Sequence, residues 1–182
     1  MLKLAENPSI LHPDVESLRE FDGTWWVAHT KARAEKAFAW DLRRCGIAYF
    51  LPMQERVRIS SGKKRHALLP LFSSYVFFCG DETDRYTAMT TNRLCQTIPV
   101  VDQETLVAQL SDIQRALRAE ARLDPYPRHT VGRLCQITSG TLKGIRGVVI
   151  RRGRHARIVL QIDMLGQGAI MEIDADLLEP VD

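Results

Sequence analysis

No apolar run in this 182-residue chain approaches the ~20 residues needed to span a bilayer. Its N-terminus, Met1 to Pro8, carries acidic and proline residues where a signal peptide has an apolar core, so a cytoplasmic protein is expected. The four cysteines (Cys45, Cys79, Cys95 and Cys135) are widely spaced, form no C-x-x-C pair and sit among apolar or small neighbours, which favours small hydrophobes in a reducing cytoplasm over a disulfide or a metal site. None of the five histidines has an Asp, Glu or Cys at metal-ligand spacing. G-x-S-x-G, H-E-x-x-H, Walker and dinucleotide fingerprints are missing too. The expectation is a protein that is no enzyme, with no catalytic residue, metal or cofactor. A large excess of charge of one sign is also missing. The net charge is +3, so any nucleic-acid affinity must come from local clusters.

What stands out is Pro70-Leu71-Phe72-Ser73-Ser74-Tyr75-Val76-Phe77-Phe78, three phenylalanines and a tyrosine in seven positions. Read as one strand, it has Phe72, Ser74, Val76 and Phe78 on one face and Leu71, Ser73, Tyr75 and Phe77 on the other. Both faces carry large apolar groups. Such a strand is central in its sheet, or one face meets a partner protein.

Along the chain, residues 1–23 show only a weak apolar pattern and read as a mobile leader. Thr24 to Thr30 reads as a strand, and Lys31 to Cys45 as a helix closed by Gly46. Ile47 to Met53 is a second strand, and Glu55 to Leu69 a basic hairpin turning at Ser60-Ser61-Gly62. After the aromatic strand come a helix over Glu82–Thr91, a strand over Leu94–Val101 and a helix from Asp102 to Arg122. The order β-α-β-β-α-β plus a helix predicts an α+β sandwich of ferredoxin-like type over residues 24–122. Residues 123–130, with two prolines, read as a linker. From 131 to 182 five short β-rich runs separated by glycines predict a small five-stranded barrel.

Two basic clusters flank turns. Arg56, Arg58, Lys63, Lys64 and Arg65 surround one, and Arg146, Arg151, Arg152, Arg154 and Arg157 the other. Each residue alone suits a solvated face, whereas clusters at turns suit phosphate contact. Trp25, Phe72 and Tyr75 fit either a core or partly exposed anchors of an interface.

Trp25-Trp26-Val27 before a helix, Phe50-Leu51-Pro52 after it, the basic hairpin and Pro70 to Phe77 resemble the N-terminal (NGN) domain of the NusG family of transcription elongation factors. Val131 to Val149 resembles the KOW motif that opens that family's C-terminal SH3-like barrel. The resemblance spans about residues 24–182, leaving the leader outside. It implies a monomeric, non-enzymatic factor bridging the RNA polymerase cleft and modulating pausing or termination. Trp25, Phe72 and Tyr75 would meet the clamp helices of the largest subunit. The helix Arg85–Thr91 would meet the gate loop of the second. In RfaH-like paralogues, residues matching Lys31, Arg44 and Arg93 contact non-template DNA, and nascent RNA is the alternative strand. The barrel positions Leu142, Ile145, Met164 and Leu165 would recruit a small-ribosomal-subunit protein or Rho. Phe72-Ser73-Ser74-Tyr75 stands where the general factor has Phe-Pro-Gly-Tyr, which points to a diverged, specialised paralogue, and Leu142 replaces the usual phenylalanine of the barrel loop. The rival reading is a KOW-type RNA-binding or ribosome-associated protein in which the barrel arginines are primary.

Overall fold

The computed structural model describes residues 6–60, 63–126, 132–151 and 155–181. The chain divides into two compact units, Met1–Gln103 and Glu104–Asp182. This division falls at the start of the last helix.

The first unit contains strands β1 (Leu11–His12), β2 (Thr24–Thr30), β3 (Ala48–Phe50), β4 (Met53–Ser60), β5 (Lys63–Pro70), β6 (Tyr75–Gly80) and β7 (Leu94–Pro99), with helices α1 (Glu35–Arg44) and α2 (Glu82–Thr90). Five strands form one sheet in the order β1-β3-β6-β2-β7, every neighbouring pair antiparallel. Strands β2 and β3 are therefore parallel with β6 inserted between them, the interleaving expected of β-α-β-β-α-β. Ala28, Val76, Phe78 and Tyr49 share a buried cluster with Phe38, Ala39 and Leu42 of α1 and Ala88 of α2. This is the face alternation read from the aromatic stretch. Helix α1 starts four residues later than expected because Arg33 sits at φ 61°, in the left-handed region; Gly46 at φ 73° ends it as predicted.

Two expectations fail in this unit. The aromatic stretch is not one strand, for β5 ends at Pro70 and β6 begins at Tyr75. Leu71 to Ser74 form a turn in which Ser74 has φ 66° and the Tyr75 amide donates to the Phe72 carbonyl at 3.2 Å. The mobile leader fails too, over residues 6–23. Leu11 pairs with Phe50, and the Leu51 amide donates to the Ile10 carbonyl at 2.7 Å. Ser17 and Glu20 form a capping box on a short 3-10 turn whose Leu18 is fully buried. The Ser9 and Tyr49 hydroxyls are 3.1 Å apart, and Lys36 of α1 donates to Asn7 and to the Leu68 carbonyl. Phe21 lies against Trp25, ring centroids 5.6 Å apart. The apolar residues of this segment have no helical period because each fills a separate gap along an extended strap.

The second unit holds α3 (Gln103–Arg118, of which Gln103 belongs to the first unit) and strands β8 (Asp124–Tyr126), β9 (Arg133–Ile137), β10 (Arg146–Arg151), β11 (His155–Ile162), β12 (Gln167–Asp174) and β13 (Leu178–Pro180). They form one sheet in the order β13-β9-β10-β11-β12-β8. The expected five-stranded closed barrel is instead a six-stranded sheet without pairing between its end strands among the described residues. The sixth strand is the first half of the expected linker, Asp124–Tyr126 pairing with Gly168–Ile170. Pro125 is tolerated because β8 is an edge. Gly168 is required by packing, since a Cβ there would lie 2.5 Å from a Val159 methyl and 2.7 Å from the Leu160 carbonyl oxygen. Within this unit α3 is tied to the sheet. Gln109 donates to Asp163 at 2.6 Å and accepts from its amide at 3.1 Å, and Asp112 accepts from the Arg146 amide at 3.3 Å. Burial lifts the Asp112 carboxyl above its ordinary range, against the opposing pull of the Arg146 amide and Arg115.

Candidate functional site

Three groups of side chains lie around the first unit's sheet. The first surrounds the Leu71–Ser74 turn. Here Tyr75 is half-buried and stacks on His29, its cross-strand partner, with centroids 5.1 Å apart and planes 22° from parallel. The turn is fixed from behind by Glu35, whose buried carboxylate accepts from the Ser74 amide at 2.6 Å. A carboxylate acceptor is among the stronger restraints available to a left-handed serine. Beneath this, Phe72 meets Phe77 edge-on at 6.0 Å and 87°.

Trp25 and Phe72 are not an open patch. They are 3% and 1% exposed, as core aromatics are. Of the three aromatics that the resemblance places at the clamp contact, Trp25 and Phe72 are core residues, and Tyr75, with His29 beside it, is the one left half-exposed. Trp25 is covered in part by Phe21, which no pattern in the leader announced.

The second group lies on α2. Arg85 lies over the Trp26 ring, 5.2 Å from its centroid, and donates to Glu82, to Thr97 Oγ1 at 3.4 Å and to the Met89 sulfur at 3.3 Å. The hydrogen bond to Glu82 raises its pKa. Thr91 is at the helix end, its hydroxyl donating to the Ala88 carbonyl at 2.7 Å. Between them Tyr86 and Met89 are exposed; the sequence reading passed over both because a lone exposed apolar residue on a short helix carries no signal.

The third group joins α1 to the start of β7. Lys31 Nζ donates to Asn92 Oδ1 at 2.8 Å, and its amide to the Arg93 carbonyl at 2.8 Å. Arg93 Nε donates to Asp41 Oδ2 at 3.0 Å, and Arg44 holds the other carboxylate oxygen. The structure thus brings Lys31, Arg44 and Arg93, which lie far apart in sequence, onto one rim. The organiser is the buried Asp41, which the sequence reading missed: a single acid inside a helix looks like any surface charge.

The basic turns fare differently. On the β4–β5 hairpin His66 pairs with Glu55, and Val57 and Ile59 are exposed; the side chains of Arg58, Lys63 and Arg65 lie outside the described residues. Near the second turn, residues 152–154 also lie outside them. Arg157, expected at a phosphate-facing finger, is paired with Glu172 at 2.7 Å, and His155 with Asp174 at 3.0 Å.

Of the four barrel positions, Ile145 is fully buried and cannot serve as an exposed loop contact. Leu142 is half-buried and lines a cavity of about 300 Å³ with Thr141, His155, Asp174 and Leu177. Met164 is exposed and Leu165 half-buried in the 3-10 turn after β11; neither lines that cavity.

Among the described residues no group of three or more His, Cys, Asp or Glu side chains is placed to hold a metal ion, and no helix is long and apolar enough to cross a membrane. Residues 23–122 match the family described as transcription termination factor nusG. Among solved structures the chain is similar to a NusG from Thermotoga maritima, described under domain interaction, at 16% identity and a TM-score of 0.48. The alignment covers 87% of this chain and 97% of that one. It is also similar to the MjSpt4:Spt5 complex in conformation B, at 14% identity, a TM-score of 0.27 and the same two coverages. No curated protein matches the chain.

Proposed function

The chain belongs to the NusG family, and from that premise we propose that it is an elongation or antitermination factor that acts by binding alone. Its NGN domain, residues 24–122, bridges the two large subunits of RNA polymerase. Tyr75 and His29 form the contact with the clamp helices, with Trp25 and Phe72 buried as core aromatics of the same domain. Arg85, Thr91 and the exposed Tyr86 and Met89 meet the gate loop. Lys31, Arg44 and Arg93 face non-template DNA or nascent RNA. The KOW domain, residues 131–182, offers Leu142, Met164 and Leu165 to a second partner such as a ribosomal protein or Rho.

The observation that carries this reading is the braced turn. A half-exposed aromatic pair, held by a buried carboxylate on a left-handed serine, is a pre-ordered anchor that loses little side-chain freedom on docking. A factor that spans a cleft shifts the clamp equilibrium by its differential affinity for the closed state. Moving that equilibrium from 1:99 to 99:1 needs a preference of about 10⁴-fold. The rival reading is a KOW-type RNA-binding or ribosome-associated protein led by the barrel arginines, of which Arg157 is paired with Glu172.

The test is transcription in vitro with purified polymerase, mapping pauses and read-through with wild type and Tyr75→Ala. Wild type is expected to change the pause pattern and the variant to need a much higher concentration for the same change. Equal potency of the two, or competition by RNA alone, refutes the docking site.

A further inference from the structure

The rim of Lys31, Arg44 and Arg93 continues onto an element that reading leaves unused. Helix α1 buries Phe38, Ala39 and Leu42, and its two acids, Glu35 and Asp41, are buried as well. The opposite face of the helix therefore carries Lys36, Ala37, Trp40, Arg43 and Arg44 and no acid. On a helix of 100° per residue Trp40 stands at the middle of this face, with Arg43 and Arg44 on either side. Trp40 is half-buried, and the Arg43 guanidinium lies over its ring, 5.4 Å from the centroid. Lys36 is engaged with Asn7 and the Leu68 carbonyl, so the cations beside the indole that remain turned outward are Arg43 and Arg44. Arg44 shares Asp41 with Arg93, and Arg93 is joined through its carbonyl to Lys31. The indole is thus the end of a continuous basic rim.

From this placement we propose that Trp40 is a stacking platform for one base of a single-stranded nucleic acid whose phosphates run along Arg43, Arg44, Arg93 and Lys31. The proposal rests on the nucleic-acid role of that rim given above and adds the group that reads a base face. An indole in a basic face suits a nucleotide better than a protein: charge complementarity supplies the phosphates, and every base has a π-face. An exposed cation–π contact is weaker than a base–indole stack, so an incoming base displaces Arg43 from the ring and frees its guanidinium for a phosphate. One stack of this kind tolerates any sequence.

The experiment uses the full chain and three fluorescein-labelled 15-mers read by anisotropy: dT15, rU15 and an abasic deoxyribose-phosphate strand of equal length. Wild type is expected to bind dT15 or rU15 roughly tenfold more tightly than the abasic strand, and the dT15 to rU15 ratio tells which sugar the rim accepts. Trp40→Ala is expected to lose that preference with its salt slope unchanged, while Trp40→Phe keeps most of it. Arg44→Ala should shallow the slope by about 0.7 and leave the base preference intact. Equal binding of all three strands by wild type overturns the platform while leaving the basic rim standing, and needs no variant to fold. Failure of wild type to bind any of them overturns the rim and the platform together.

Discussion

Leu18→Ala tests whether the N-terminal strap is part of the folded core. Leu18 has no solvent exposure, although it sits in a segment with little sequence pattern. Truncation removes three carbons, worth about 2.4 kcal/mol at ~0.8 each, and the cavity left behind adds to this, giving about 3–4 kcal/mol. For a cooperative unit of about 100 residues each kcal/mol moves Tm by about 4–8 °C, so a fall of at least 12 °C is expected. Thermal melts and urea titrations followed by tryptophan emission are the natural assays, because Trp25 lies against Phe21 of the same strap. A midpoint within 2 °C of wild type, with an unchanged urea slope, would mean that the strap is not packed. It would also mean that Trp25 is covered by something else.

Phe72→Ala and Tyr75→Ala should separate core from contact: the first costs about 3–5 kcal/mol of stability in a denaturant titration, the second little, yet both weaken polymerase pull-down. Glu35→Ala strips the Ser74 amide of its carboxylate and should cost about 1.5–3 kcal/mol by the same titration, whereas Glu35→Gln keeps an acceptor oxygen and most of the stability. Ellman's reagent at pH 8 should label two thiols in the native protein, Cys45 and Cys95, and all four in denaturant. Burial, then Asp22 and Asp84, push the Cys79 thiol up to about 11. A raised pKa stabilises the fold below the free-thiol range near 8.5, and this contribution is lost as pH climbs through about 11, so the alkaline limb should flatten in Cys79→Ala. Gly168→Ala should destabilise the second unit by about 1–3 kcal/mol in a thermal melt, the new methyl pressing on Val159.

The β-α-β-β-α-β order and the faces of β6 were legible because each element obeys its own period. Val76 and Phe78 alternate against Phe77 as a strand requires, and Phe38 and Leu42 recur as a helix requires. What stayed hidden depends on contacts distant in sequence. The strap is ordered by the edge of β3, and Asp124–Tyr126 becomes a strand only because β12 offers it an edge. Nothing local in either segment records that. The site was legible by residue type and less so by exposure. Tyr75 and the rim residues stand where an interface can use them, while Trp25, Phe72 and Ile145 are sealed by neighbours the sequence does not rank. Glu35 and Asp41, the two buried acids that brace the turn and the rim, had no pattern of their own.

Strand β1 also sets an order of events at the ribosome. Leu11 is synthesised before every residue of α1, yet its partner Phe50 leaves the exit tunnel only after that helix. At about 5–20 residues per second the first-made segment stays unattached for seconds. It is available to chaperones or proteases in that interval, and its partner strand emerges before the central strand β6 does.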